Sequence, residues 1–171
     1  MAPATPATST TTQRDVVLTW KLAKTSKTAL GVSYRIENKS KTRIYVADKQ
    51  LVMMQDTRKF RGVKHVRVEA PQGASNVVRL LVAPPSGDVP SIATAQMTFI
   101  ALDPGAVHTE DREVALPLPD AARKATTAVL VINAFTGEPP TWTSVDGEQG
   151  PIKVPEGFTP TDLVFGPVAL P

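Results

Sequence analysis

The chain reads as an all-β protein, a sandwich of about eight or nine short strands. Three observations predict this. Apolar residues recur with a period of two in successive stretches, most cleanly at Leu18, Trp20 and Leu22 and again at Leu30, Val32, Tyr34 and Ile36. That spacing sets one face of a strand against a core. The 16 prolines fall mainly at the two ends and between apolar runs, where proline stops strands and shapes turns. No helical period interleaves the strand patterns, so parallel βαβ units are not expected.

The elements follow in order. Val16 to Leu22 is the first strong strand, ended by the polar stretch Lys24 to Thr28. Leu30 to Glu37 is the second. Asn38-Lys39-Ser40-Lys41 is a tight connection in which Asn and Ser bond their own local backbone. Thr42 to Ala47 is the third, expected to form a β-hairpin with the second. Leu51 to Met54 reads as a short strand and Asp56 to Gly62 as a basic loop. Val63 to Val68, Val77 to Val82 and Ile92 to Leu102 are further strands, the last with Met97, Phe99 and Ala101 on one face. Asp103-Pro104-Gly105 is a turn, because proline presets φ and glycine accepts positive φ. Arg112 to Pro119 begins as a strand and ends on prolines, as an edge strand does. Asp120 to Lys124 suits one helical turn, and Ala128 to Phe135 is a strand rich in Val and Ile. This divides the chain into a Pro/Ala/Thr-rich arm over residues 1–13, a sandwich over 14–135, and a Pro/Gly-rich extension over 136–171 with weak runs that suit edge strands.

Composition removes several classes. A length of 171 residues suits one domain. Without cysteine there is no disulfide, no zinc-thiolate site and no cysteine nucleophile. No window approaches the apolar length of a membrane-spanning helix. Residues 1–12 have neither the basic nor the apolar region of a signal peptide. A cytoplasmic or virion setting is therefore expected, or a periplasmic one if a leader has been removed. Charge is unevenly spread. Residues 1–80 hold 15 Lys and Arg against 5 Asp and Glu, a net of +10, and residues 81–171 hold 4 against 11, a net of −7.

Residues 16–54, with their alternating strands, the Asn38 to Lys41 turn and Ile44-Tyr45-Val46, resemble the opening of bacterial immunoglobulin-like domains. Leu102 to Gly105 followed by Val114 to Pro119 is similar to the turn and proline-ended strand of such a domain. The resemblance spans roughly residues 15–135 and implies an antiparallel immunoglobulin-like sandwich. It carries no functional residue across, because that superfamily hosts many unrelated functions.

Sites of chemistry are sparse. His65 sits amid Lys64 and Arg67, and His108 sits in an expected loop before Glu110 and Asp111. No Gly-x-Ser-x-Gly elbow, Walker loop or dinucleotide fingerprint occurs. His108, Glu110 and Asp111 have metal-ligand side chains, but a solvated acidic turn accounts for them more simply. No catalytic residue, metal or cofactor is therefore assigned. The candidate interface residues are Arg35, Lys39, Lys41 and Arg43 around one connection, Arg58, Lys59, Phe60, Arg61 and Lys64 around the next, and Trp142 in the irregular C-terminal region. The basic clusters suit phosphate. Pairing with the acidic half, within the fold or between copies, uses them more simply. Trp20 lies on the alternating stripe and is assigned to the core.

The expected function is that of a non-enzymatic structural or accessory subunit of a bacterial or viral assembly, acting by contact with a protein, including copies of itself. Nucleic acid is the lesser partner, and a small-molecule substrate is not expected. A soluble partner-binding module, inhibitor-like or chaperone-like, and a carboxylate-dependent hydrolase are the alternatives.

Overall fold

A computed structural model of the chain describes residues 7–57, 60–83, 97–136, 142–145, 148–152 and 161–171. Their regular structure is strand apart from one short helical turn, as the alternation predicts. The first sheet has the order β1 (Ala7–Gln13), β2 (Val16–Ser26), β3 (Ala29–Asn38), β9 (Val107–Ala115), all antiparallel. The second runs β5 (Phe60–Val63), β4 (Ile44–Met53), β10 (Thr127–Thr136), β7 (Val77–Val82), β6 (Val66–Glu69). In it β8 (Met97–Leu102) also pairs with β4, and β13 (Thr161–Ala169) with β10. A small ladder of β11 (Trp142–Val145) and β12 (Glu148–Ile152) stands apart, with β12 beside β8. Asp120–Ala122 forms the expected single turn, of 3-10 type. No helix among the described residues is long and apolar enough to cross a membrane.

The core lies between the two sheets. Leu18, Trp20 and Leu22 of β2 and Val32, Tyr34 and Ile36 of β3 face Leu130 and Ile132 of β10 and Leu163, Phe165 and Val168 of β13 in one buried cluster. Trp20 is 1% exposed, as its place on the stripe predicts. The second sheet is buried on its other face as well. There Tyr45 stacks on Phe135 at 4.8 Å between ring centroids, and Phe99 meets Phe135 edge-on at 5.0 Å. Burial on both faces explains why β10 reads as a nearly continuous apolar run rather than an alternating one.

Thirteen strands stand among the described residues, against the eight or nine expected. The expected arm is strand from Ala7 onward, pairing with β2 from Ala7↔Leu22 to Gln13↔Val16. Its threonines are β-branched and suit an extended, half-buried surface. In the expected C-terminal extension, β13 is a core strand. The expected hairpin of the second and third strands does not form: β3 belongs to the first sheet and β4 to the second. Asn38 explains the crossing. It is fully buried, its amide donates to the carbonyls of Thr42 (2.8 Å) and Leu102 (2.9 Å), and its Oδ1 accepts from the Ser40 amide and hydroxyl. The Asn-Lys-Ser turn is thus real, but it carries the chain from one sheet to the other. The pairing is also not wholly antiparallel, because β7 runs parallel to β10 from Val77↔Thr127 to Val82↔Ile132. Parallel neighbours need a long crossover, which the segment between Val82 and Thr127 supplies.

Candidate functional site

Alternation along β9 decides what its polar residues can do. The segment around His108 is strand rather than the expected loop. His108, Glu110 and Arg112 therefore face inward, and Thr109, Asp111 and Glu113 face solvent. The trio His108, Glu110 and Asp111 is split between two faces. The residue that joins His108 and Glu110 instead is Asp48, brought by β4, and the three present ligand atoms within 4.8 Å of one another.

Asp48 reaches this position through an irregularity. The β4–β8 register breaks between Ala47 and Gln50, and such a break re-aims side chains and frees backbone groups. The freed groups find side chains. The Lys49 amide donates to Thr98 Oγ1 at 3.2 Å, and the Asp48 carbonyl accepts from Arg112 Nη2. Arg112, only 4% exposed, also donates from Nε to Tyr34 Oη at 3.3 Å and lies 3.4 Å from Asp48 Oδ1. Glu110 Oε1 accepts from Lys64 Nζ at 2.6 Å and from the Asp111 amide at 3.3 Å. Glu110 Oε2 lies 3.6 Å from His108 Nε2 and 4.0 Å from Arg112 Nη2. His108 Nε2 and Arg112 Nη1 are buried with no hydrogen-bond partner among the described residues.

The electrostatics are those of a closed cluster. Two carboxylates, Asp48 and Glu110, meet two cations, Lys64 and Arg112, so the charges already cancel. Burial pushes the Glu110 carboxyl pKa up. The Lys64 hydrogen bond, the Arg112 charge and the Asp111 amide outweigh it and hold the group below its ordinary value. Burial raises the Tyr34 phenol against the opposing pull of Arg112. A divalent cation at Asp48, His108 and Glu110 would add two uncompensated charges unless Lys64 withdrew. The donor types suit a metal, but the neighbouring cations do not.

Among the described residues, the expected interface residues are spread over separate ion pairs and exposed positions. Arg35 lies on the solvent face of β3, with Glu37 3.0 Å away, and Lys39 reaches the same carboxylate at 2.6 Å. Arg43 pairs with Asp103 at 2.6 Å. Lys41 and Arg61 are exposed, and Lys64 belongs to the cluster under β9. Arg58 and Lys59 lie outside the described residues, as do the side chains of Phe60 and Trp142. Part of the charge asymmetry is spent inside the fold, since Arg43–Asp103, Lys64–Glu110 and Arg79–Asp162 each join the basic half to the acidic half.

The solvent face of the first sheet is the other notable surface. The register places Lys21, Ser33 and Asp111 in one row and Thr19, Arg35 and Thr109 in the next. Short Ser33 between longer neighbours leaves a shallow trough of about 260 Å³, with Thr8 at its far side. Sequence reasoning missed this face because only pairing shows which strands lie side by side. Comparison with protein-family models, with curated proteins and with solved structures finds no match to the chain.

Proposed function

We propose that the chain is a non-catalytic structural or accessory module of immunoglobulin-like type, acting by protein–protein contact in a larger bacterial or viral assembly. The observation that supports this reading is the bare solvent face of the β1–β2–β3–β9 sheet. Across it, threonines, Lys21, Arg35, Asp111 and Glu113 stand in register. Mixed charge on a strand-rigid surface suits a protein partner, since opposite charges fix register and exclude wrong partners. The described residues of this face include no aromatic side chain, which disfavours a nucleic-acid platform built on base stacking.

The test is the mass of the purified chain by light scattering, at low and high salt, for the natural protein and for Lys21→Glu with Arg35→Glu. A large species that salt or the double substitution disperses supports the reading. A monomer under every condition, with no partner captured by cross-linking through this face, overturns it.

A further inference from the structure

Among the described residues, strand β9 is the outer strand of its sheet and pairs only with β3. The Leu116 amide donates to Thr28 on the β3 side at 2.8 Å. By strand alternation, the amides of Val107, Thr109, Asp111, Glu113 and Ala115 therefore point away from β3. Such a row is a template for another strand. At its centre the template is closed. The inward side chain of Glu110 curls back over the edge to accept from the Asp111 amide, and Lys64 holds the same oxygen at 2.6 Å. Lys64 lies in the two-residue link between β5 and β6, and β6 approaches β9 without pairing with it. The ion pair thus ties a piece of the second sheet across the open edge of the first.

We infer that β9 is a latent strand-addition edge, that its occupant is β9 of a second copy, and that the Lys64–Glu110 pair is the latch that keeps it shut. On the inward face of the strand, charge complementarity favours that occupant, whereas on the solvent face the two Asp111 carboxylates meet and are screened by salt. With two copies antiparallel and Asp111 opposite Asp111, every edge-facing amide meets an edge carbonyl. Glu110 then faces the copy's Arg112 and Arg112 the copy's Glu110, while Thr109 faces Glu113 and Val107 faces Ala115. Displacing the latch exchanges one set of charge pairs for another and adds a ladder of backbone hydrogen bonds.

This inference concerns the edge of the sheet and is independent of the contact surface proposed on its face. The experiment compares Lys64→Ala and Lys64→Gln with the natural chain at equal concentration by light scattering, with circular dichroism to verify folding. Lys64 is half exposed, and both substitutions leave Glu110 in place to meet the copy's Arg112. The expected result is a doubling of mass relative to the natural chain in either variant, reversed by adding Asp111→Pro. Proline there removes an edge-facing donor without touching the β3 ladder. Folded latch variants with unchanged mass overturn the inference. So does a mass increase that Asp111→Pro leaves intact, or a natural chain already paired through β9 and dispersed by Asp111→Pro alone.

Discussion

The backbone amide of Val164 donates to Gln13 Oε1 at 2.7 Å, and two residues on the Gly166 amide reaches Thr11 Oγ1 at 3.4 Å. These bonds join the first strand to the last. Among the described residues β13 pairs with β10 alone, and its outer amides turn to side chains instead of a neighbouring strand. Side chains of β1, from the facing sheet, take their place, while the Lys64–Glu110 pair bridges the opposite side of the sandwich. Among the described residues, both lateral openings are therefore spanned by side chains rather than by strand pairing.

Removal of residues 1–13 should accordingly destabilise the fold rather than trim a loose arm. The deletion uncovers β2, with Leu18, Trp20 and Leu22 at its edge, and strips the caps from Val164 and Gly166. Urea unfolding should show a loss of at least 2 kcal/mol, in line with several lost ladder bonds at about 1 kcal/mol each. Gln13→Ala alone should cost about 1 kcal/mol and speed hydrogen exchange at Val164. An unchanged midpoint for the deletion would mean that β1 contributes nothing to the folded state.

Asn38→Ala should be among the most damaging single changes at a polar position. It leaves the carbonyl of Leu102 and the Ser40 amide without their partner and unpins the crossing between sheets. A loss of about 3 kcal/mol is expected from stranding buried polar groups, read as a fall in Tm. Ser40→Ala, at a partly exposed site, should cost much less.

Gly166→Ala should strain the contact between the sheets. The backbone there has φ of 118°, and an added methyl would lie 3.1 Å from Trp20 Cζ2 and 3.3 Å from the Ala128 carbonyl. A cost of about 2 kcal/mol or more follows from the backbone conformation and the packed indole together. In a Trp142→Phe background the emission of Trp20 reports the displacement directly.

Acid should weaken the fold partly through Glu110. Its carboxyl pKa is held down in the folded chain, so the unfolded chain binds the proton more readily. The stabilisation is complete above the unfolded value of about 4.3 and is lost as pH falls through the lower, folded value. Glu110→Gln should therefore flatten the fall of stability below about pH 4.3 and leave its slope near neutrality unchanged. Chemical unfolding across that range tests it, and an equally steep acid limb in the variant would refute the assignment.

How much of this was legible in the sequence depends on the range of the interaction. The Leu18–Trp20–Leu22 and Leu30–Ile36 stripes announce their own burial, because period-two alternation needs no partner to be read. The Asn38–Ser40 turn is equally local. The polar cluster is not. The inward faces of His108, Glu110 and Arg112 follow from alternation only once the segment is known to be strand, and its polarity makes it read as a loop. Asp48 lies 60 residues before His108 in the chain and enters through a bulge that nothing near it in the sequence marks.

The sequence by itself determined the class: an all-β chain with a core built from alternating apolar positions. Tertiary structure decided everything that depends on which strand lies beside which. It set β3 and β4 in different sheets, laid β7 parallel to β10, made the N-terminal threonine segment the cap of β13, and turned the charge asymmetry into ion pairs inside the fold. The physical reason is that hydrophobic periodicity encodes which face of a strand is buried. The neighbour, its direction and its register are settled only when distant segments compete for the same backbone hydrogen bonds and the same core volume.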